Sequence, residues 1–397
     1  MNRKWVITKN QENIITTVFE NEKAVELHCV SGTTKDDIQL GNIYIGRVKN
    51  IVHNINAAFI EISQGVECYY AIEENPKPFF TKKIGKKTLC VGDELLVQVS
   101  REAIKTKVPT VSSKLSFTGK HAVLTYGDRR IGVSTKLAKA EKERLSEIAA
   151  MFASDEYGII MRTNAKEANE ETLKEELNRL THEYHQLLSV ATTRTCYSCL
   201  KRAPKEYLSE LRNIYQEGLT DIIIEDAGLY EEVHEYLAQE QPEDLVKLRL
   251  YQDKLLPLHK LYSIDTHIEH ALKPTVWLKS GAYLVIQPTE ALTVIDVNTG
   301  KCVTNKKDSQ AYLKINSEAA IEVARQIRLR NLSGIIIIDF INMDSEESMS
   351  QLMELFQREL QKDPVTTTLV DVTKLQLVEV TRKKVRKPFH ETISKNF

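Results

Sequence analysis

A chain of 397 residues is long enough for several domains, and its 42% hydrophobic content is that of a globular protein, not a disordered or fibrous one. The formal net charge of −1, from 54 basic and 55 acidic residues, excludes a globally cationic molecule, so any polyanion must be met by local patches. The opening Met-Asn-Arg-Lys-Trp-Val-Ile-Thr lacks the apolar core of a secretory leader, and no run nears the ~20 apolar residues of a membrane span, which predicts a cytoplasmic protein.

Residues 4–8, 14–20 and 23–30 read as three short strands, too little to close a core alone. From residue 41 to about 117, short strands with glycine turns recur at a spacing of roughly ten residues, which predicts a small OB-type barrel. Phe59 and Tyr69, with Lys82, Lys83, Lys86, Lys87, Lys105 and Lys107 around them, have the composition of a base-stacking surface with a cationic rim. The same residues serve equally well as core aromatics and a solvated face.

Over 119–202, two strand-like runs precede helical segments. Asp128-Arg129-Arg130-Ile-Gly132-Val-Ser134-Thr135-Lys136 follows the first, and Arg162-Thr163-Asn164 ends the second. A glycine beside exposed backbone N–H groups, a hydroxyl and an arginine are the components of a phosphate pocket, although Arg-Thr at a strand end is also common without one. Residues 167–191 carry one apolar stripe and read as a core-facing helix. Cys196-Tyr-Ser-Cys199 offers half the ligands of a structural zinc, so reduced thiols are the favoured reading for all six cysteines (Cys29, Cys68, Cys90, Cys196, Cys199 and Cys302). The run 221–225 is suited to joining the amino-terminal strands in one sheet, which would leave the barrel as an insertion.

Residues 291–344 carry most of the chemistry. Leu292-Thr-Val-Ile-Asp296-Val-Asn298 and the isoleucine run ending at Asp339 read as strands buried on both faces, where an ionised carboxylate needs a partner or a metal. A helical pattern lies between them and stops at Gly334, so a right-handed strand-helix-strand unit would set Asp296 and Asp339 side by side at one sheet edge. Beyond them, the basic cluster from Arg382 to Lys387 suits either a phosphate backbone or a solvated face.

Taken together, Leu292-Thr-Val-Ile-Asp296-Val-Asn298-Thr-Gly, Asn316-Ser-Glu318-Ala-Ala, Ala324-Arg-Gln-Ile-Arg-Leu-Arg330 and Ile336-Ile-Ile-Asp339-Phe-Ile resemble the ribonuclease E/G family. Gly41-Asn-Ile-Tyr44, Ala57-Ala-Phe59, Arg162-Thr163 and Glu379-Val-Thr-Arg382 extend the resemblance, in order, over nearly the whole chain. It implies a multidomain α+β and α/β fold. A ribonuclease H-like domain would be split between 1–35 and 205–271, around an OB-fold RNA-binding domain at 36–118 and a 5′-end sensor at 119–204. A DNase I-like catalytic domain would occupy 272–397. It further implies that Asp296 and Asp339 hold catalytic Mg2+, with Mn2+ as a substitute, and that Asn298 orients the site. Phe59, Tyr69 and Lys107 would grip single-stranded RNA, and Gly132, Arg162, Thr163 and Arg382 would embrace a 5′ monophosphate.

The expected function is a Mg2+-dependent endoribonuclease of RNA processing and decay, favouring 5′-monophosphorylated, A/U-rich strands; the alternative is a non-catalytic RNA-binding regulator or scaffold. Family members commonly continue into a Cys-Pro-x-Cys-x-Gly segment whose thiolates share zinc with a second subunit, and then into a small dimerisation domain. The sequence reaches Phe397 with neither, so a zinc link is not expected and a homodimer is left unproven; Cys196 and Cys199 do not inherit the zinc role.

Overall fold

The computed structural model describes residues 2–10, 13–31, 38–86, 88–103, 107–214, 217–300, 309–343 and 345–393. Lys87, Lys105 and Cys302 lie outside them. The chain divides into two compact units, one formed by Met1–Thr33 with Asn213–Phe397 and the other by Thr34–Arg212.

The first unit contains two sheets. Arg3–Asn10 and Asn13–Glu20 pair antiparallel, Lys23–Ser31 continues the meander, and Asn21 and Glu22 adopt the left-handed conformation that a tight two-residue hairpin turn requires. Leu219–Ile224 returns to pair in parallel with Arg3–Asn10, so the second unit is inserted between neighbours of one sheet. The other sheet has six strands in the order Thr275–Trp277, Tyr283–Pro288, Leu292–Asn298, Gly334–Asp339, Leu377–Arg382 and Thr367–Val372. Among these neighbours, Leu292–Asn298 and Gly334–Asp339 form the parallel pair, with helix Ser309–Leu329 as their crossover.

That helix and Glu346–Leu360 cover one face of the six-stranded sheet. Ile295, Val297, Ile336 and Ile338 meet Ala319, Ala320 and Val323 there, and the small helix residues allow close approach. The opposite face differs from the expectation of strands buried on both sides. Leu292, Val294, Asp296 and Asn298 are only half-buried, Ile335 is 50% exposed, and Asp339 is exposed. Alternation in a strand sends these residues to the face that the helices do not cover. The amino-terminal sheet is tied to the crossover helix by buried charge: Glu20 Oε1 accepts from Arg3 at 2.6 Å and from Arg328 of that helix at 3.2 Å.

In the second unit, Ile43–Val52, Ala57–Ser63, Val66–Ala71, Thr110–Ser112 and Glu94–Arg101 pair in succession, and Ile43–Val52 also pairs with Glu94–Arg101 to close a five-stranded OB-like barrel. Gly46 is required at the closure, since a Cβ there would stand 2.5 Å from Ile60 Cγ2. Ser116–Thr118, Ala122–Tyr126, Tyr157–Met161 and Ile131–Val133 form a further sheet in the same unit, packed against helices Lys139–Ala150 and Glu170–Ala191.

Candidate active site

Asp296 and Asp339 are direct register partners across the parallel strands, at their carboxyl ends, where open sheets bind ligands. The juxtaposition expected from the strand-helix-strand pattern is therefore present in the backbone itself. Asn298, two residues on and so on the same face, donates from Nδ2 to Asp296 Oδ2 at 2.7 Å. Partial burial, and then the charge of Asp296, push the Asp339 carboxyl above the ordinary carboxylate range. Among the described residues, neither carboxylate has an ion-pair partner of opposite charge.

The crossover helix fixes the surroundings of this pair. Asn316, fully buried, donates to Ile341 O at 2.8 Å and accepts from Ile341 N at 3.1 Å, which holds the chain just beyond Asp339. Two adjacent hard-oxygen donors of like charge suit a divalent cation. Among the described residues no group of three or more His, Cys, Asp or Glu side chains could enclose one. A two-carboxylate donor set fits Mg2+, which keeps several waters and takes its remaining ligands from phosphate oxygens.

On the barrel, Phe59 and Tyr69 are cross-strand partners with ring centroids 6.4 Å apart and planes at 79°. Their neighbours Ala58, Ile60, Cys68 and Tyr70 fill the barrel interior, so the two half-buried rings lie on its outer surface. Lys107 is exposed on the segment leading into Thr110, the residue that pairs with Tyr69. Lys83 is different from a free rim cation, because its ammonium pairs with the fully buried Asp93 and lies over the Phe80 ring at 4.2 Å.

Gly132, Arg162 and Thr163 come together at the carboxyl ends of the parallel strands Ile131–Val133 and Tyr157–Met161. Ser134 Oγ and Thr163 Oγ1 share a hydrogen bond of 2.8 Å, and Arg162 Nη1 donates to Gly119 O at 2.7 Å and to Lys120 O at 3.3 Å. Arg382 belongs to the other unit. It is 5% exposed, with Nε on Asp363 Oδ2 at 2.7 Å and Nη1 on Asn331 Oδ1 at 2.6 Å, so its guanidinium is committed to the interior of its own unit. The basic run Arg382–Lys387 carries no sign of which member turns inward.

Sequence reasoning passed over Glu176. This buried carboxylate accepts from the backbone N–H groups of His121 at 2.8 Å and Ala122 at 2.9 Å, and meets His121 Nδ1 at 2.8 Å. His121 O in turn accepts from Arg162 N at 2.7 Å, so the pair backs the Arg162 strand end. A glutamate facing inward among apolar stripe positions was the available signal. Cys196 and Cys199 are half-buried free thiols beside strand Ile43–Val52, and burial pushes both above the ordinary thiol range.

The family model described as "Ribonuclease E/G family" matches residues 116–385. The chain belongs to the ribonuclease E/G family. It is 31% identical over 396 residues to a Nostoc sp. protein named ribonuclease E, covering 98% of this chain and 57% of that one. Against ribonuclease G of Salmonella typhimurium it is 32% identical over 365 residues, covering 87% of this chain and 73% of that protein. Ribonuclease G of Escherichia coli is 31% identical over 372 residues, with 89% and 74% covered. The chain thus spans less than two thirds of the Nostoc relative. Within the family match lie both aspartates and the Gly132–Arg162–Thr163 cluster, whereas Phe59, Tyr69 and Lys107 precede it.

Proposed function

We propose that this ribonuclease E/G family member is a Mg2+-dependent endoribonuclease that hydrolyses phosphodiester bonds in single-stranded RNA. The observation that carries the reading is the register pairing of Asp296 with Asp339, two like charges without a cationic side-chain partner among the described residues. The relatives named ribonuclease E and ribonuclease G support the reaction class. Mg2+, or Mn2+ in its place, would supply charge neutralisation at the scissile phosphate and a water of lowered pKa. Asn298 holds Asp296 in one orientation, and Asn316 holds the exit of the Asp339 strand. In the hydrolysis, water oxygen bonds to phosphorus as the P–O3′ bond breaks, leaving a 5′ phosphate and a 3′ hydroxyl.

The Phe59–Tyr69 surface with Lys107 grips bases of the strand by stacking and charge. Gly132, Arg162 and Thr163 receive a 5′ monophosphate, for which a guanidinium anchored on two backbone carbonyls is already oriented. The substrates are A/U-rich strands of RNA processing and decay. Cleavage of a fluorescent A/U-rich strand with Mg2+ tests this, comparing the wild type with Asp296→Asn and Asp339→Asn. A wild type that binds the strand without cutting it sinks the nuclease reading in favour of an RNA-binding regulator. Matched 5′-monophosphate and 5′-triphosphate substrates test the end preference: the monophosphate should be cut faster, and Arg162→Ala should remove the difference.

A further inference from the structure

We propose that Trp277 and Tyr283 form a base-stacking platform beside the carboxylate pair, taking the base of a nucleotide that flanks the scissile phosphate. The proposal rests on the nuclease reading above for the position of that phosphate. Trp277 pairs with Tyr283 across one strand junction, and Tyr283 pairs with Asn298 across the next. Directly paired residues share a sheet face, so both rings project from the face that carries Asp296 and Asp339. The intervening residues Val276, Leu284 and Val297 pack into the core on the other side, which fixes the parity independently. At a strand spacing of about 4.8 Å, Trp277 stands two strands, roughly 10 Å, from Asn298. That is the scale of a nucleotide step or two.

The rings themselves are arranged for use. Their centroids are 5.0 Å apart with planes at 49°, and Trp277 is 63% exposed, whereas the chain's other tryptophan, Trp5, is fully buried. Between the two strands that bear them, the turn is pinned from the crossover helix: Glu318 accepts from Lys279 N at 2.8 Å and from Ser280 N at 3.3 Å. Leu278 and Ala282 close the turn by a 2.8 Å backbone bond, with Gly281 at a φ of 89°. An aromatic pair flanking a turn that the crossover helix holds loses little freedom when a base stacks on it. Every base has a π-face, so the platform favours bases without choosing among them.

Having two tryptophans, one exposed and one buried, supplies the readout. With chelator present to prevent cleavage, an A/U-rich single-stranded oligonucleotide should quench the exposed emission of the wild type, and Trp277→Phe should abolish that quench. Anisotropy of a labelled oligonucleotide should show Trp277→Ala binding weaker by roughly fivefold or more. An abasic residue next to the cleavage site should weaken wild-type binding and add little to the loss in Trp277→Ala. Trp277→Phe should restore part of the affinity, as a smaller ring still stacks. No quench in the wild type, or unchanged affinity in Trp277→Ala, overturns the platform. If the wild type cleaves but shows no quench, the platform fails and the nuclease reading stands; quench without cleavage fails the nuclease reading and, with no scissile phosphate to flank, the platform's placement with it. A Trp277→Ala change in solution mass, with oligonucleotide binding intact, would assign the face to a second copy of the chain and overturn the proposal.

Discussion

The strands Gly334–Asp339 and Leu377–Arg382 carry charge at both ends, and the two ends treat it in opposite ways. At the start of the first strand, Gly334 pairs with Arg382, whose guanidinium reaches Asp363, a carboxylate 1% exposed. There the chain provides both signs, and the pair is closed by Asn331 Oδ1 and Leu332 O. At the other end, Asp339 faces Asp296, the one side chain donating to the pair is Asn298 among the described residues, and burial, then like charge, holds Asp339 above its ordinary range. The difference teaches how to separate structural from functional charge in one sheet. A buried ion pair is complete in itself, whereas two adjacent carboxylates, on the reading proposed above, take their counter-charge from solution.

The largest break in this comparison comes at the open end. Asp296→Asn or Asp339→Asn should cut cleavage of a single-stranded RNA on the order of 10³-fold, at least as much as losing an electrostatic group from other active sites. Oligonucleotide binding and thermal stability should persist; equal cleavage rates in variant and wild type would remove both residues from the chemistry. At the closed end, Arg382→Ala should remove the guanidinium bonded to a carboxylate 1% exposed and cost about 3–5 kcal/mol of stability, read by denaturant unfolding. Should Arg382→Ala instead unfold like the wild type and lose the preference for 5′-monophosphorylated RNA, Arg382 would belong with Arg162 and Thr163 as the resemblance implied. Asn298→Ala sits between the two ends in kind: it removes a donor that orients a ligand, and should lower kcat/KM by roughly 10–100-fold while leaving the fold intact. An unchanged kcat/KM would show that Asp296 is oriented by other means.

How much of this was legible in the sequence follows from what periodicity encodes. Strand, crossover and strand were readable because apolar period changes from run to helix and back, and an aspartate at each run's end then falls at the same sheet edge. The faces were not readable. Isoleucine at 335, 336, 337 and 338 gives no alternation, although Ile335 is 50% exposed and Ile336 is fully buried. Side-chain partnerships over long separations were equally hidden: nothing local in Arg382 distinguishes it from Lys383 or Lys384, and its inward turn depends on Asp363 and Asn331 arriving from elsewhere in the chain. Trp277 escaped notice for the reverse reason, since a three-residue strand is too short to show a pattern and its position two strands from Asn298 exists only through register.

The smallest expected effect extends the comparison to the second unit, where Glu176 is a closed carboxylate of the Asp363 kind. Burial opposes its ionisation, but the hydrogen bond and charge of His121 and the N–H groups of His121 and Ala122 outweigh it, and its carboxyl lies below the ordinary range. A carboxyl whose folded value is depressed stabilises the fold fully above its unfolded value, and that stabilisation is lost as pH falls through the folded value. The wild type should therefore lose melting temperature on acidification below the ordinary carboxylate range. Glu176→Gln, which keeps an acceptor but carries no charge, should start from a lower melting temperature at neutral pH and lose this part of the acid slope. Identical slopes in the two proteins would show that the charge of Glu176 contributes nothing to holding the Arg162 strand end, and would leave its backbone hydrogen bonds as the whole of its role.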